Sequence, residues 1–182
     1  MSRIAIPTVE ASPEASKPLL AAVKQQLGMV PNLMKVVGHS PAALEGYLSL
    51  NGALGKASIE AKLRERLALA VAEYNGCDYC LSAHDYIGKN LAKLSQTDID
   101  EARDFHAQDG RTAAALQFAK RVVDSRGKVS DTDLAALRAA GFDEAATIEI
   151  VATVALNVLT NYINNVVQTD IDFPAVHAKH GG

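Results

Sequence analysis

Glu73-Tyr74-Asn75-Gly76-Cys77-Asp78-Tyr79-Cys80-Leu81-Ser82-Ala83-His84 holds both cysteines of this 182-residue chain. They stand three positions apart, and a histidine follows the second by four. Asn75-Gly76 is a breaker between two helical patterns, so the stretch reads as the turn of a helical hairpin. Cys77 and Cys80 then open the second helix. Residues three and four apart on a helix are neighbours, which puts Cys77, Cys80 and His84 on one face. A helix N-terminus offers unpaired N–H groups and the positive end of the macrodipole, and both favour a thiolate. Two thiols within reach of each other, with an imidazole beside one, are the parts of a dithiol redox centre.

The helix before the turn carries Leu67-Ala68-Leu69-Ala70-Val71-Ala72, apolar on every face, and such a helix is a buried one. In an antiparallel hairpin, residues equally far from the turn lie at the same height. Glu65 stands ten or eleven residues before it and His84 eight or nine after, roughly level at about 1.5 Å rise per residue. Glu65 shares its stripe with Ala68, Leu69 and Ala72, so it is expected to face inward. A carboxylate placed there needs a partner, and an imidazole is a suitable one. A surface ion pair with Lys62, Arg64 or Arg66 is the plainer alternative. Glu73, beside the turn, reads as a solvated or turn-capping residue.

Helical periodicity runs through the rest of the chain, with few strand signals. Residues 1–13 contain Pro7 and Pro13 and read as an extended segment. Leu19, Leu20, Val23 and Leu27 define a helix stopped at Gly28. A short turn of helix starts at Pro31-Asn32, and Ser40-Pro41 is an N-cap followed by proline at the first helical position. Ser95 or Thr97 caps a short acidic helix. Residues 112–126 form another, and Ser130 with Asp133 makes a capping pattern for the next. Asp143 caps a long last helix, with Ile148, Val151, Val154, Ala155 and Val158 expected to face the core. Asn157, Asn161, Asn164, Asn165 and Gln168 read as its polar outer face or as a subunit contact. The reading is all-α: a single-domain bundle of about eight helices, with the CxxC at the start of a central helix and a flexible-looking tail over 174–182. His177 and His180 fall in that tail, and Tyr79 and Tyr86 flank the cysteines as core or as a substrate wall.

Composition excludes several classes. A net charge of −3 gives no electrostatic footprint for nucleic acid, and no basic run suggests an anionic membrane surface. Met1-Ser-Arg-Ile-Ala-Ile-Pro7 lacks the apolar core of a signal peptide, and no stretch nears about 18 uninterrupted apolar residues. The expected location is the cytoplasm, where two cysteines point to catalysis or metal binding before a structural disulfide.

Other readings of the cysteines compete. They could pack as small apolar residues. A c-type haem site needs histidine directly after the second cysteine, where Leu81 stands. Structural zinc on Cys77, Cys80 and His84 would need a fourth ligand, with Glu65, Glu73 and His106 as the choices. No metal and no cofactor is therefore assigned.

Taken together, Arg64-Glu65, the apolar helix and Asn75-Gly76-Cys77-x-Tyr79-Cys80-x-x-x-His84 resemble the alkylhydroperoxidase (AhpD-like) branch of the carboxymuconolactone decarboxylase family. The family pattern is Glu, eleven residues, Cys, two, Cys, three, His, and Glu65, Cys77, Cys80 and His84 match every spacing. Gly28-Met-Val-Pro31-Asn32, Ser40-Pro41 and Thr160-Asn161-Tyr-Ile-Asn164 resemble further segments of the peroxidase-related members. Decarboxylase members generally lack the CxxC pair, which argues against that chemistry here.

The resemblance implies a thiol-dependent peroxidase. His84, oriented by Glu65, would take the proton of Cys80. The thiolate would attack a hydroperoxide, and Cys77 would condense with the resulting sulfenic acid. An external dithiol would restore the pair. His84 is closer along the helix to Cys80, whereas the helix terminus favours Cys77, so the order of attack stays open. Asp78 is expected to oppose thiolate formation. A dithiol–disulfide oxidoreductase or redox partner without peroxide specificity would use the same residues, and a non-enzymatic zinc or assembly module remains a further alternative. Ala-rich faces such as Ala113–Ala115 and Ala135-Ala136 suggest a homo-oligomer, and the resemblance makes it a trimer or hexamer.

Overall fold

The computed structural model describes residues 1–179. Among the described residues, nine α-helices follow a short 3₁₀ turn at Glu14–Ser16: α1 (Lys17–Leu27), α2 (Asn32–Val37), α3 (Pro41–Leu54), α4 (Ala61–Tyr74), α5 (Asp78–Asn90), α6 (Gln96–Arg103), α7 (Gly110–Ser125), α8 (Asp131–Ala139) and α9 (Glu144–Val167). The architecture is all-α, with no strand among the described residues.

Local chemistry sets most of the boundaries. Ser40, Ser95, Asp109, Ser130 and Asp143 each accept a backbone N–H at a helix start, with full capping boxes at Ser95/Asp98 and Ser130/Asp133. Such caps satisfy donors that the helix cannot satisfy itself. The α4–α5 turn is the one that matters for the site. Gly76 adopts φ 59°, its N–H donates to Glu73 O at 3.1 Å, and the Cys77 N–H donates to Ala72 O at 2.9 Å. This is a Schellman closure, which needs a left-handed residue directly after the cap. It ends α4 and starts α5 with Cys77 as the N-cap residue.

The apolar run of α4 does what its composition predicts. Leu67, Leu69, Ala70, Val71 and Ala72 are fully buried, and α4 packs against α5, α6, α7 and α9. One apolar cluster joins α4 to α7, α8 and α9 through Leu67, Leu116, Phe118, Leu137 and Ile150. A second joins it to α1, α2, α3, α5 and α6 through Leu20, Leu33, Leu44, Leu69, Leu81 and Ile99, and contains both cysteines. Leu67→Ala is expected to cost about 2–5 kcal/mol, the range for a buried leucine whose cavity only partly collapses. A lowered urea midpoint with an unchanged slope is the readout.

Two expectations are corrected. The core face of α9 is only partly the one expected: Val154 is buried and Val158 packs on the core, but Ile148, Val151 and Ala155 are exposed, and Ala146, Ile150, Asn157, Asn161 and Asn164 are buried in their place. The helix is apolar enough on all sides that periodicity does not choose a face, and the asparagines turn inward because partners wait there. Length and apolar content alone would let α9 cross a membrane; its packing on α3, α4, α5 and α7 makes it a core helix of the bundle. The tail, expected to be flexible, is pinned through residue 179. His177 Nδ1 and the Ala178 N–H reach the Asp78 carboxylate at 2.7 and 2.9 Å. The Lys179 N–H donates to Glu73 at 2.6 Å, and Val176 and Ser82 exchange hydrogen bonds. His180 lies outside the described residues.

Candidate active site

Cys77 and Cys80 are joined in a disulfide, with Cα atoms 5.3 Å apart. Cys77 is fully buried and Cys80 is 3% exposed. Only Cys80 lines the adjoining cavity, a space of about 520 Å³. The two sulfurs therefore differ in access, although they share the start of one helix. Cys77 Sγ accepts the Cys80 N–H at 3.3 Å, in the manner of an N-cap side chain.

The hairpin register brings Glu65 of α4 against His84 of α5. The His84 Nδ1–H donates to Glu65 Oε2 at 2.8 Å, both side chains being mostly buried. That contact leaves Nε2 of the neutral imidazole as the acceptor nitrogen. His84 and Glu65 line the same cavity as Cys80, and the one-turn spacing of Cys80 and His84 places them on one face of α5. The competing surface ion pair for Glu65 does not form: Arg64 donates to Ile59 O, and Arg66 pairs with Asp98 and Asp109.

Glu73 is not a solvated turn residue. It is buried, bound to Arg103 at 2.6 Å, and accepts the Lys179 N–H. Asp78, expected to oppose a thiolate, is engaged by His177 and the Ala178 N–H, which offset part of its charge. Among the described residues, no three His, Cys, Asp or Glu side chains gather as a metal would require.

The rest of the cavity is mostly apolar, with Leu27, Leu33, Met34, Leu54, Leu156 and Phe173 among its walls. Tyr47 lines it as well. Burial first, then the charge of Glu65, pushes the Tyr47 phenol up to about 12, so it keeps its proton at any working pH. Tyr79 is built into the frame rather than the wall's edge. Its hydroxyl donates to Asp172 at 2.8 Å and accepts the Leu33 N–H at 3.0 Å. Burial raises that phenol well above its ordinary range, with Asp172 adding to the effect. Tyr86 is half exposed at the rim and packs on Phe173.

Helix α9 supplies what the CxxC reading lacks. The Asn164 side-chain amide donates to Cys80 Sγ at 3.2 Å. Asn161 accepts from the Asn75 side chain at 2.9 Å, and Asn165 donates to Asn75 O at 2.8 Å. The amide spacing of α9 was the available signal, but nothing local tells an inward amide row from an outward one.

Residues 41–124 match the carboxymuconolactone decarboxylase family. Among solved structures, an AhpD-core, uncharacterized peroxidase-related protein from Ralstonia eutropha JMP134 is similar at 26% identity and TM-score 0.84, over 94% of this chain and 92% of that one. A peroxidase-related protein from Silicibacter sp. TM1040 is similar at 22% identity and TM-score 0.81, over 93% and 91%. The debrominase Bmp8 is similar at 22% identity and TM-score 0.76, over 94% and 91%, and a structure of its cysteine-to-alanine variant holds 2,3,4-tribromopyrrole. The last two likenesses show a shared fold. No curated protein sequence matches the chain.

Proposed function

We propose that this chain, whose residues 41–124 match the carboxymuconolactone decarboxylase family and whose fold is similar to an AhpD-core structure, is a dithiol–disulfide oxidoreductase that reduces a small organic electrophile in the Cys80 cavity. The observation that carries this reading is the asymmetry of the pair: Cys80 lines a largely apolar cavity beside the Glu65–His84 couple, while Cys77 sits sealed behind it.

A hydroperoxide is the first acceptor. Nε2 of His84 takes the Cys80 proton, and the thiolate attacks the terminal peroxide oxygen. The O–O bond breaks, the departing alkoxide takes a proton, and Cys80 is left as a sulfenic acid. The Cys77 thiol then displaces water from that sulfenic acid and closes the disulfide. An external dithiol returns two electrons and two protons. Such a cycle suits a reducing compartment such as the cytoplasm.

A cavity of about 520 Å³ exceeds what hydrogen peroxide needs and lies in the usual range for organic ligands. That favours a second acceptor, a halogenated aromatic, in keeping with the fold shared with a debrominase. There, an aryl bromide plus two thiols would give the arene, bromide with a proton, and the disulfide. Stopped-flow mixing of the reduced protein with hydrogen peroxide, a bulky alkyl hydroperoxide and a brominated pyrrole tests both readings. Rapid loss of two thiols per molecule with one of the three is expected. Thiols that survive all three would remove the oxidoreductase reading, and bromide release decides between the acceptors.

Self-association belongs to the same reading. Ile148, Val151, Ala155, Leu159, Tyr162 and Val166 form an exposed stripe on α9 at spacings of three or four residues. This is the period of one apolar helix face, which packs on another surface when buried. The stripe supports a homo-oligomer, trimeric or hexameric by resemblance, better than the Ala113–Ala115 face does, since Ala115 is already in the core. Light scattering at micromolar concentration is expected to give a multiple of the 19.3 kDa chain mass. A monomer mass removes the oligomer, and a dimer removes only the number.

A further inference from the structure

We propose that Asn164 is a catalytic residue, whose side-chain amide donates a hydrogen bond that stabilises the Cys80 thiolate and so favours Cys80 over Cys77 as the attacking sulfur. The inference rests on the dithiol reading above but not on the identity of the acceptor.

Asn164 is 3% exposed on α9, and its Nδ2 lies 3.2 Å from Cys80 Sγ across the hairpin–α9 interface. Its Oδ1 is buried with no hydrogen-bond partner among the described residues. A side chain placed only for packing would not hold an unpartnered amide oxygen in the core, because such burial is costly. The orientation follows from the chemistry of sulfur. Turned the other way, the amide would set its oxygen against the sulfur lone pairs and lose its donor contact.

The contact changes in worth with redox state. A disulfide sulfur is a weak acceptor, whereas a thiolate carries a full charge. The same N–H then makes a charge-assisted bond, roughly twice as strong as a neutral one. Little solvent reaches Cys80, so this donor stands where water would otherwise serve the anion. Cys77 has a donor of its own, the Cys80 backbone N–H at 3.3 Å, and the helix terminus acts on both sulfurs. Of the two sulfurs Asn164 touches only Cys80, so it adds to the bias that access from the cavity already gives that sulfur. Neighbouring amides keep it aligned: Asn161 and Asn165 clamp α9 to Asn75, two residues before Cys77.

The test isolates Cys80 in a Cys77→Ser background, where serine remains a competent N-cap. Alkylation by iodoacetamide is followed against pH, with and without Asn164→Leu, which keeps the branched skeleton but is bulkier and has no donor, and Asn164→Asp, which is close in volume to asparagine. Asn164→Leu is expected to raise the Cys80 pKa by about one unit, a roughly tenfold slower reaction at pH values below the pKa. Asn164→Asp removes the donor and adds a like charge, and is expected to raise it further. In a Cys80→Ser background, the Cys77 profile should stay within twofold when Asn164 is replaced. In the parent protein, the Asn164 side-chain amide protons should shift downfield in ¹⁵N-edited NMR spectra when the disulfide is reduced. This readout needs no variant to fold.

An unmoved Cys80 profile in Asn164→Leu, an equal shift at Cys77, or amide protons indifferent to reduction would each overturn the assignment. Alkylation requires neither peroxide nor a halogenated substrate. A Cys80 shift found without turnover of any acceptor would therefore sustain Asn164 and count only against the proposed reaction.

Discussion

Cys80→Ser is expected to abolish thiol-dependent reduction, whereas Cys77→Ser should complete the first half-reaction and stop. A hydroxyl in place of the thiolate removes the nucleophile itself, a loss on the order of 10⁶-fold where comparable nucleophiles have been deleted. The asymmetry follows from access: Cys80 lines the cavity and Cys77 is fully enclosed. In Cys77→Ser the sulfenic acid has no thiol to condense with and accumulates on Cys80, where a dimedone-type probe and mass spectrometry would find it. A probe adduct on Cys77 in the Cys80→Ser variant would reverse the roles.

Glu65→Gln should slow oxidation of the pair by on the order of 10²- to 10⁴-fold, the range for loss of a group acting through a general base. The carboxylate accepts the Nδ1–H of His84 at 2.8 Å, which fixes the tautomer that presents Nε2 as a base and supports the imidazolium when it takes a proton. Glutamine keeps the shape and can still accept, but it loses the charge that favours the protonated ring. Glu73→Gln is the control. Glu73 binds Arg103 and the tail, so its loss should lower the thermal midpoint while leaving the oxidation rate per folded molecule nearly unchanged. Equal rate losses in the two variants would remove Glu65 from the chemistry.

The part of this arrangement that could be read from the chain is the part governed by local rules. The caps at Ser40, Ser95, Ser130 and Asp143, the break at Asn75-Gly76 and the apolar run of α4 each act within a few residues. The Glu65–His84 meeting needed one further step, since two helices joined by a tight turn have a calculable register. What stayed hidden depends on contacts between distant segments. Asn164 reaches Cys80 across 84 positions, and His177 reaches Asp78 across 99. Nor could the orientation of α9 be deduced from its pattern. Apolar residues on both sides leave the choice of face to whichever side finds partners for its amides, and those partners, Asn75 in the α4–α5 turn and Cys80 on α5, lie far away in sequence.

The enclosure of the disulfide has a kinetic consequence. With Cys77 sealed and Cys80 lining the cavity, one doorway would serve both halves of the proposed cycle. The molecule that takes electrons away must leave before the one that brings them can come in. The two reactants then alternate in ping-pong order, and each, when in excess, blocks the doorway against the other. In the proposed cycle, throughput is therefore expected to peak at an intermediate ratio of oxidant to reductant and to fall on either side.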